Sequence, residues 1–402
     1  MGFEVLIIGS DVNAYYMARC FHEAYNRNAY MLIKDDLAFT KYSKIINRIY
    51  NSKIWEEKDF IKAVNDFLTE HADKKVVVVS SNETYAEYLV KNKSKFRHNI
   101  LFNYPDADIL TSLTNKENFY KTYESSVLDF PKTIYFDVKT SSIKEKDMEY
   151  PVVVKPANVV LYNHVSFSGK KKIYKVFDYE ELMSVIKLIK SSKYDDTLII
   201  QEYIPGDDSY LFDSVVYSGK DSKVKLISFA QIGLQEHNPN MVGNAAVLIN
   251  GYNSFNVDTK EIISKIKTFM ESIGYKGFAE FDLKFDIRDR KFKVLEINAR
   301  QGRCSYYISK AGYNLVKILV DDLVNNKCMD YKFIDDKVML SFVNKSIIKK
   351  YVVNQAFKKE ALSMYKSSVN PLKYSKDSSI FRKLLYIKRD SNYRKSYKNY
   401  NW

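Results

Sequence analysis

Residues 295–303, Leu-Glu-Ile-Asn-Ala-Arg-Gln-Gly-Arg, end an apolar run with a carboxylate at Glu296, an amide at Asn298, and two arginines, Arg300 and Arg303. Side chains on a β-strand alternate between faces, so Glu296 and Asn298 share one. The run 278–286 behaves similarly, with Glu280 and Asp282 on one face and Phe281 and Leu283 on the other. If the two runs pair as neighbours, Asp282, Glu296 and Asn298 meet on one surface. Three oxygen donors without His or thiolate suit Mg²⁺. Without a cation such acids repel and raise one another's pKa. The forked guanidinium groups of Arg300 and Arg303 match carboxylate or phosphate. The chemistry on offer is transfer of a phosphoryl group to a carboxylate.

Three further pieces close apolar runs. Lys155 ends "PVVVK", and a charge there must find an anion or reach water. Lys116 begins a helical stretch and, taken alone, reads as an ordinary solvated lysine. "LIIQEYIPGDDS" (198–209) is a strand, a Pro-Gly turn and two carboxylates. Such a hinge can offer backbone groups to a purine edge and an acid to ribose hydroxyls, although Pro-Gly-Asp-Asp is also ordinary turn chemistry.

The elements that must position these residues follow from the apolar pattern. Runs at 4–10, 30–36 and 75–81 read as buried strands, alternating with helices at 13–25, 59–71 and 83–92. Strands of this kind between helices predict a doubly wound parallel sheet over 1–108, whose strand ends face a ligand crevice. Gly9 stands alone after the first strand, which argues against dinucleotide binding, and no P-loop pattern occurs. Residues 109–196 read as a smaller α/β unit opened by a helix at 114–126, with Thr114 as its N-cap. Residues 197–330 read as a second α+β unit, with strands near 197–203, 209–217, 224–234 and 243–249. There a helix at 260–274 precedes the final antiparallel pair. Residues 331–402 read as a basic C-terminal extension with a frayed end.

The totals restrict the function. The 402 residues are 46% hydrophobic and 15% aromatic, a globular composition with room for two to three domains. No apolar run has the 18 or so residues needed to span a bilayer, and the start reads as a strand rather than a signal peptide. Three scattered cysteines point to a reducing cytoplasm and free structural thiols. Residues 331–402 hold 17 Lys and Arg against 5 Asp and Glu, so nearly all of the net +14 sits there. A basic nucleic-acid surface covering the whole protein is therefore not expected. An appendage suited to an acidic partner or an anionic membrane face is.

The order Lys116, Lys155, "QEYIPGDD", Asp282 and "EINAR" resembles that of the ATP-grasp carboxylate–amine ligases. "IGSDVNAYYMARCFHEAY", "KYSKI", "VVKPANVV", "EINARQGRCS" and "GYNL" narrow the likeness to the D-aspartate ligases of bacterial peptidoglycan synthesis. The resemblance runs through most of residues 1–330. It implies an ATP-grasp fold behind a pre-ATP-grasp domain, with 109–196 as a central lid and 197–330 as the catalytic subdomain. It also implies ATP and Mg²⁺ as cofactors. Lys116 and Lys155 would hold ATP phosphates. Gln201, with the backbone of Tyr203 and Ile204, would read adenine, and Asp208 the ribose. Asp282, Glu296 and Asn298 would hold two Mg²⁺. Arg300 would steady the acyl phosphate, and Arg303 the substrate's second carboxylate.

The family's phosphate-covering loop is glycine-poor here ("VSFSGKKKIYKV"), and Lys171 or Lys172 would close it over the phosphates. The implied reaction converts the β-carboxylate of D-aspartate to an acyl phosphate. The lysine amine of a UDP-linked muramoyl pentapeptide then attacks it. Two alternatives remain: a related ligase with another amino acid or acceptor, and a non-catalytic nucleotide-binding protein whose basic tail docks on membrane.

Overall fold

The computed structural model describes residues 2–400 apart from 239, 240 and 242. Val and Ile fill both faces of β1 (Phe3–Ile8), which becomes the centre of a parallel sheet with β2 (Ala29–Ile33), β3 (Ile46–Tyr50), β4 (Lys75–Ser80) and β5 (Ile100–Leu101), in the order β3-β2-β1-β4-β5. Val5 and Ile7 pack on one side with the helix Val12–Tyr25. Leu6 and Ile8 pack on the other with Phe60, Val64 and Leu89. The expected doubly wound sheet is present; β3 and β5, short and weakly apolar, escaped the sequence pattern. Strand order reverses between β1 and β4. The crevice at such a switch point is where ligands bind in this architecture. Gly9 (φ +110°) stands there because a Cβ would lie 2.1 Å from Ser81 Oγ.

The second sheet is antiparallel: β6 (Thr133–Asp137), β7 (Val152–Pro156), β8 (Tyr174–Val176) and β9 (Thr197–Glu202), in the order β6-β9-β7-β8. Leu182, Ile186 and Ile189 of the helix Tyr179–Lys190 cover it. Because β9 pairs with both β6 and β7, the small unit ends after Glu202, not before Thr197. The helix expected at 114–126 is two helices, Ala107–Thr114 and Lys116–Tyr123. Thr114 ends the first, its hydroxyl donating to the Leu110 carbonyl, and Asn115 caps the second. The Asx side chain of Asn115 outcompetes the threonine one position earlier.

The third sheet contains β10 (Leu211–Ser218), β11 (Val224–Ser228), β12 (Ala230–Gln235), β13 (Ala245–Asn250), β14 (Gly277–Asp286), β15 (Lys291–Asn298), β16 (Lys332–Ile334) and β17 (Val338–Ser341). Its order is β15-β14-β10-β12-β13-β17, with β11 joining β10 to β16. The single strand expected at 224–234 breaks at Phe229, so its two halves border successive parts of β10. Ile262, Ile266 and Phe269 of the helix Lys260–Ser272 pack under this sheet.

Residues 331–402 are not an appendage. β16 and β17 complete the large sheet, and the helix Ile380–Asn399 runs almost to the end of the described chain. Asp377 is fully buried and accepts from Tyr15 Oη and Ser43 Oγ (both 2.8 Å) and from the Lys44 N–H (2.6 Å). Beside it, buried Arg382 donates to the carbonyls of Phe39 and Lys41. Composition cannot place these charges, because which of them are buried depends on the partner surface, and here that surface is the first domain. Removing one partner of a buried pair leaves the other uncompensated and costs about 3–5 kcal/mol. Arg382→Ala is expected to lower stability by that order in denaturant unfolding. An unchanged midpoint would show that the C-terminal segment is not structurally integrated.

Candidate active site

Pairing of β10, β14 and β15 sets Asp213 opposite Asp282, and Asp282 opposite Glu296, so that three carboxylates form a row across three strands. One pleat along, Glu280 faces Asn298. The Asn298 amide donates to Asp282 (3.3 Å) and Glu280 (3.4 Å). The expected convergence of Asp282, Glu296 and Asn298 is therefore what the register produces. These residues, with Asp213, Glu280, Lys172, Arg300 and Arg303, line a cavity of about 250 Å³.

The electrostatics follow from crowding. Burial, then the charges of Glu280 and Glu296, push the Asp282 carboxyl well above its usual range. Burial and Asp213 do the same to Glu280. Glu296 behaves oppositely. Withdrawal from bulk water would raise it, but the ammonium groups of Lys116, Lys155 and Lys172 outweigh that and hold it below its usual range. Lys116 Nζ stands 2.6 Å from Glu296 Oε1.

Lys155 sits over the Tyr120 ring and donates to Gln201 Oε1 at 3.1 Å. Burial, and then the like charge of Lys116, lower its ammonium to about 7. An anion between the lysines would relieve this cost. Among the described residues no three His, Cys, Asp or Glu form a preformed metal cage. The donor set is instead two carboxylates and an amide open to a cavity, with a surplus of buried negative charge that a hard divalent cation would neutralise.

Several neighbours complete the site beyond the residues the sequence pattern assigns a role. Asp213 is an isolated acid inside an apolar strand, recognisable only once its neighbour is known. Glu280 lies on the acid face already identified. Lys284, two residues past Asp282, continues that face; it donates to the Gly206 carbonyl (3.1 Å), and burial lowers its ammonium to about 8. Lys175 Nζ lies 3.7 Å from the centroid of the Tyr203 ring. Gly302 has a steric reason for its place, since a Cβ there would fall 1.6 Å from Glu280 Oε1.

The hinge differs in detail from the expectation. The Gln201 side chain is buried and spent inside the protein, accepting from Lys155 and donating to Thr133 Oγ1 (2.8 Å). In this arrangement it orients Lys155. The Tyr203 N–H goes to the Pro151 carbonyl (3.1 Å), while Ile204 is buried directly after it. Both oxygens of Asp208 accept from Gln235, one from its backbone N–H and one from its side chain.

The glycine-poor loop is held by tyrosines. Tyr162 Oη donates to the Lys171 carbonyl, Tyr174 Oη to the Gly169 carbonyl, and the Lys171 N–H to Tyr174 Oη. Of the two candidate lysines, Lys172 lines the cavity.

Arg300 lies where the first sheet meets the third. Its Nε is 2.8 Å from Glu83 Oε1, just beyond β4. Asp11, which caps the helix after β1, also acts on it electrostatically. The switch point between β1 and β4 is thus turned toward this arginine, and Gln301 next to it donates to the Ser80 carbonyl. Arg303 is held by Glu236 and by Tyr393 from the C-terminal helix, and its guanidinium lies over Phe342.

No protein-family model matches the chain. Over 99% of its length it is 33% identical to a D-aspartate ligase of Enterococcus faecium, across 96% of that protein. An L-amino acid ligase from Bacillus licheniformis superposes with a TM-score of 0.55 at 18% identity, over 81% of this chain and 76% of that one. N5-carboxyaminoimidazole synthetase from Staphylococcus aureus, complexed with ADP, superposes with a TM-score of 0.59 at 14% identity, over 86% and 84%. The two structural likenesses are distant and speak for the fold. The acid row, the lysines above it and one-third identity along nearly the whole chain agree: the protein belongs to the D-aspartate ligase family, ATP-dependent carboxylate–amine ligases of the ATP-grasp fold.

Proposed function

We propose that the protein activates the β-carboxylate of D-aspartate with ATP and joins it to the lysine side-chain amine of a UDP-linked muramoyl pentapeptide. The row Asp282–Glu296 with Asn298 alongside, next to Lys116 and Lys155, supports the phosphoryl-transfer chemistry, and the one-third identity to a D-aspartate ligase supports the choice of substrates. The amino-acid carboxylate attacks the γ-phosphorus of ATP, ADP leaves, and an acyl phosphate forms. The neutral amine then attacks the carbonyl carbon, inorganic phosphate departs and the amine loses a proton.

Asp282, Glu296 and Asn298 would hold Mg²⁺, which supplies charge neutralisation on the transferring oxygens. Lys116 and Lys155 bind the nucleotide phosphates, and Lys172 closes from the loop above. Gln201 positions Lys155. The backbone of Tyr203 and Ile204 would read adenine, and Asp208 the ribose. Arg300 steadies the acyl phosphate and the carboxylate that precedes it, while Arg303 takes the second carboxylate of the amino acid. Release of ADP measured over D- and L-acidic amino acids, with and without the lysine-containing precursor, tests the assignment. Turnover that ignores the precursor, or prefers an L-amino acid, would sink it.

A cytoplasmic enzyme using this acceptor would work at the inner membrane face. Ile380, Phe381, Leu384 and Ile387 form an apolar stripe, 56–71% exposed, on the helix that buries Arg382, Tyr393 and Tyr397 on its other side. Tyr42 packs against Phe381, and Lys383 and Lys388 flank the stripe. Apolar contact with a basic rim suits an anionic bilayer.

Three measurements follow. Asp282→Asn should lower kcat/KM on the order of 10²-fold or more, equivalent to about 3 kcal/mol of barrier. Because the Asp282 carboxyl is raised in the folded state, its ionised form costs stability above the unfolded-state pKa. The same variant should therefore unfold at a higher midpoint at pH 8 without ligands. Retained activity would remove Asp282 from the metal set.

Second, Lys155 loses its proton near pH 7 in the free protein, whereas bound phosphates favour the ammonium. ADP binding should take up a proton at pH 8 and weaken as pH rises above 7. Calorimetry in buffers of different ionisation enthalpy reads the uptake, and Lys155→Met should abolish it. Third, Leu384→Glu should release the protein from vesicles rich in anionic lipid. Equal sedimentation of both forms would exclude this face as the contact.

A further inference from the structure

A second cavity, of about 270 Å³, lies between the C-terminal helix, Phe39 of the first domain and the chain after β12. It shares one wall with the acid-lined cavity, because Arg303 lines both. Arg303 is nine-tenths buried, and its charge is matched by Glu236, which also accepts from Tyr393. Arg389 and Lys388 add two more cations on the helix side. The Arg389 guanidinium lies over the Phe39 ring at 4.3 Å, and no ion pair with it occurs among the described residues. Burial and the like charge of Arg303 work against it. Two cations with one aromatic support, the Asn392 amide and the open side of a pocket make a receptor for an oxyanion.

The activated carboxylate of the amino acid is not the occupant of this cavity: in the reading above it lies beside Asp282 and Glu296, on the acid-lined side of Arg303. A substrate that reaches the acyl phosphate from solvent while extending past Arg303 fits instead. We propose that this second pocket holds an anionic group of the amine-bearing acceptor, gripped by Arg389 and Lys388, with Arg303 as the partition between the two substrates. The inference rests on the ligase reading above. It gives the basic C-terminal segment a task in substrate choice. The oxyanion can be a nucleotide diphosphate or a peptide carboxylate, and the pocket chemistry is the same for both.

The test is equilibrium binding to the full chain. UDP-linked lysine-containing pentapeptide and the same pentapeptide without nucleotide are titrated into wild type, Arg389→Glu and Lys388→Glu. Lys388 is exposed, so its variant keeps the fold if the half-buried Arg389 proves structurally needed. Arg389→Glu should weaken the UDP-linked peptide at least tenfold and Lys388→Glu a few-fold, with ADP binding and the KM for the amino acid unchanged. A loss confined to the nucleotide-bearing peptide assigns the pocket to the diphosphate; an equal loss with both assigns it to a carboxylate. Wild-type affinity in both variants, or a rise in the amino-acid KM instead, overturns the proposal. Failure of the wild type to turn over with this acceptor would refute the proposed acceptor separately, since binding is read without catalysis.

Discussion

Like charge forced together in a partly dry cleft is the constraint around which this protein is arranged. Asp213, Asp282 and Glu296 occupy adjoining strands at one level, and Glu280 stands one pleat away. In isolation such a group would drive its members to protonate or drive the sheet apart. The surrounding residues divide the load. Tyr307 donates to Asp213, Asn298 bridges Asp282 and Glu280, and Lys116 faces Glu296. What remains is a negative excess pointed at a cavity that Lys172 also lines, with Lys116 and Lys155 beside Glu296. A polyphosphate with its cations is the natural complement to both halves.

The three sheets contribute different parts of this balance. The large sheet supplies the acids at a register that a one-residue slip would destroy, because alternate residues point to opposite faces. The small antiparallel sheet brings Lys155 and the loop with Lys172 over them. The parallel sheet brings its switch point, with Asp11 and Glu83, against Arg300. An arginine that would otherwise neutralise the acid row is thus partly satisfied from the opposite direction.

Local pattern made the core of this site readable. Alternation along 278–286 and 291–298 placed Asp282, Glu296 and Asn298 together, and the structure pairs those strands in antiparallel register. The lysine closing "PVVVK" pointed to an anion, and Lys155 is indeed strained by burial. Residues whose meaning depends on non-neighbours were not readable. Asp213 needs the β10–β14 pairing, and Lys284 and Lys175 need the hinge folded beside them. Gln201 looked available for a base because nothing local shows that Lys155 and Thr133 consume both ends of its amide. The boundary expected before Thr197 falls after Glu202 for the same reason, since strand membership is decided by the partner strand. The C-terminal segment was read as an appendage because composition cannot tell a solvated lysine from an arginine buried against another domain.

The bond between Tyr15 and Asp377 joins positions 362 residues apart. A first domain whose packing includes such a late partner cannot finish assembling as it emerges from the ribosome. Until the terminal helix arrives, the surface around Tyr15, Phe39 and Ser43 stays open, and the growing chain carries an incomplete nucleus. Contacts of this range slow folding and lengthen exposure to aggregation. Closing the molecule end to end makes the last step of the first domain's packing wait for the last helix.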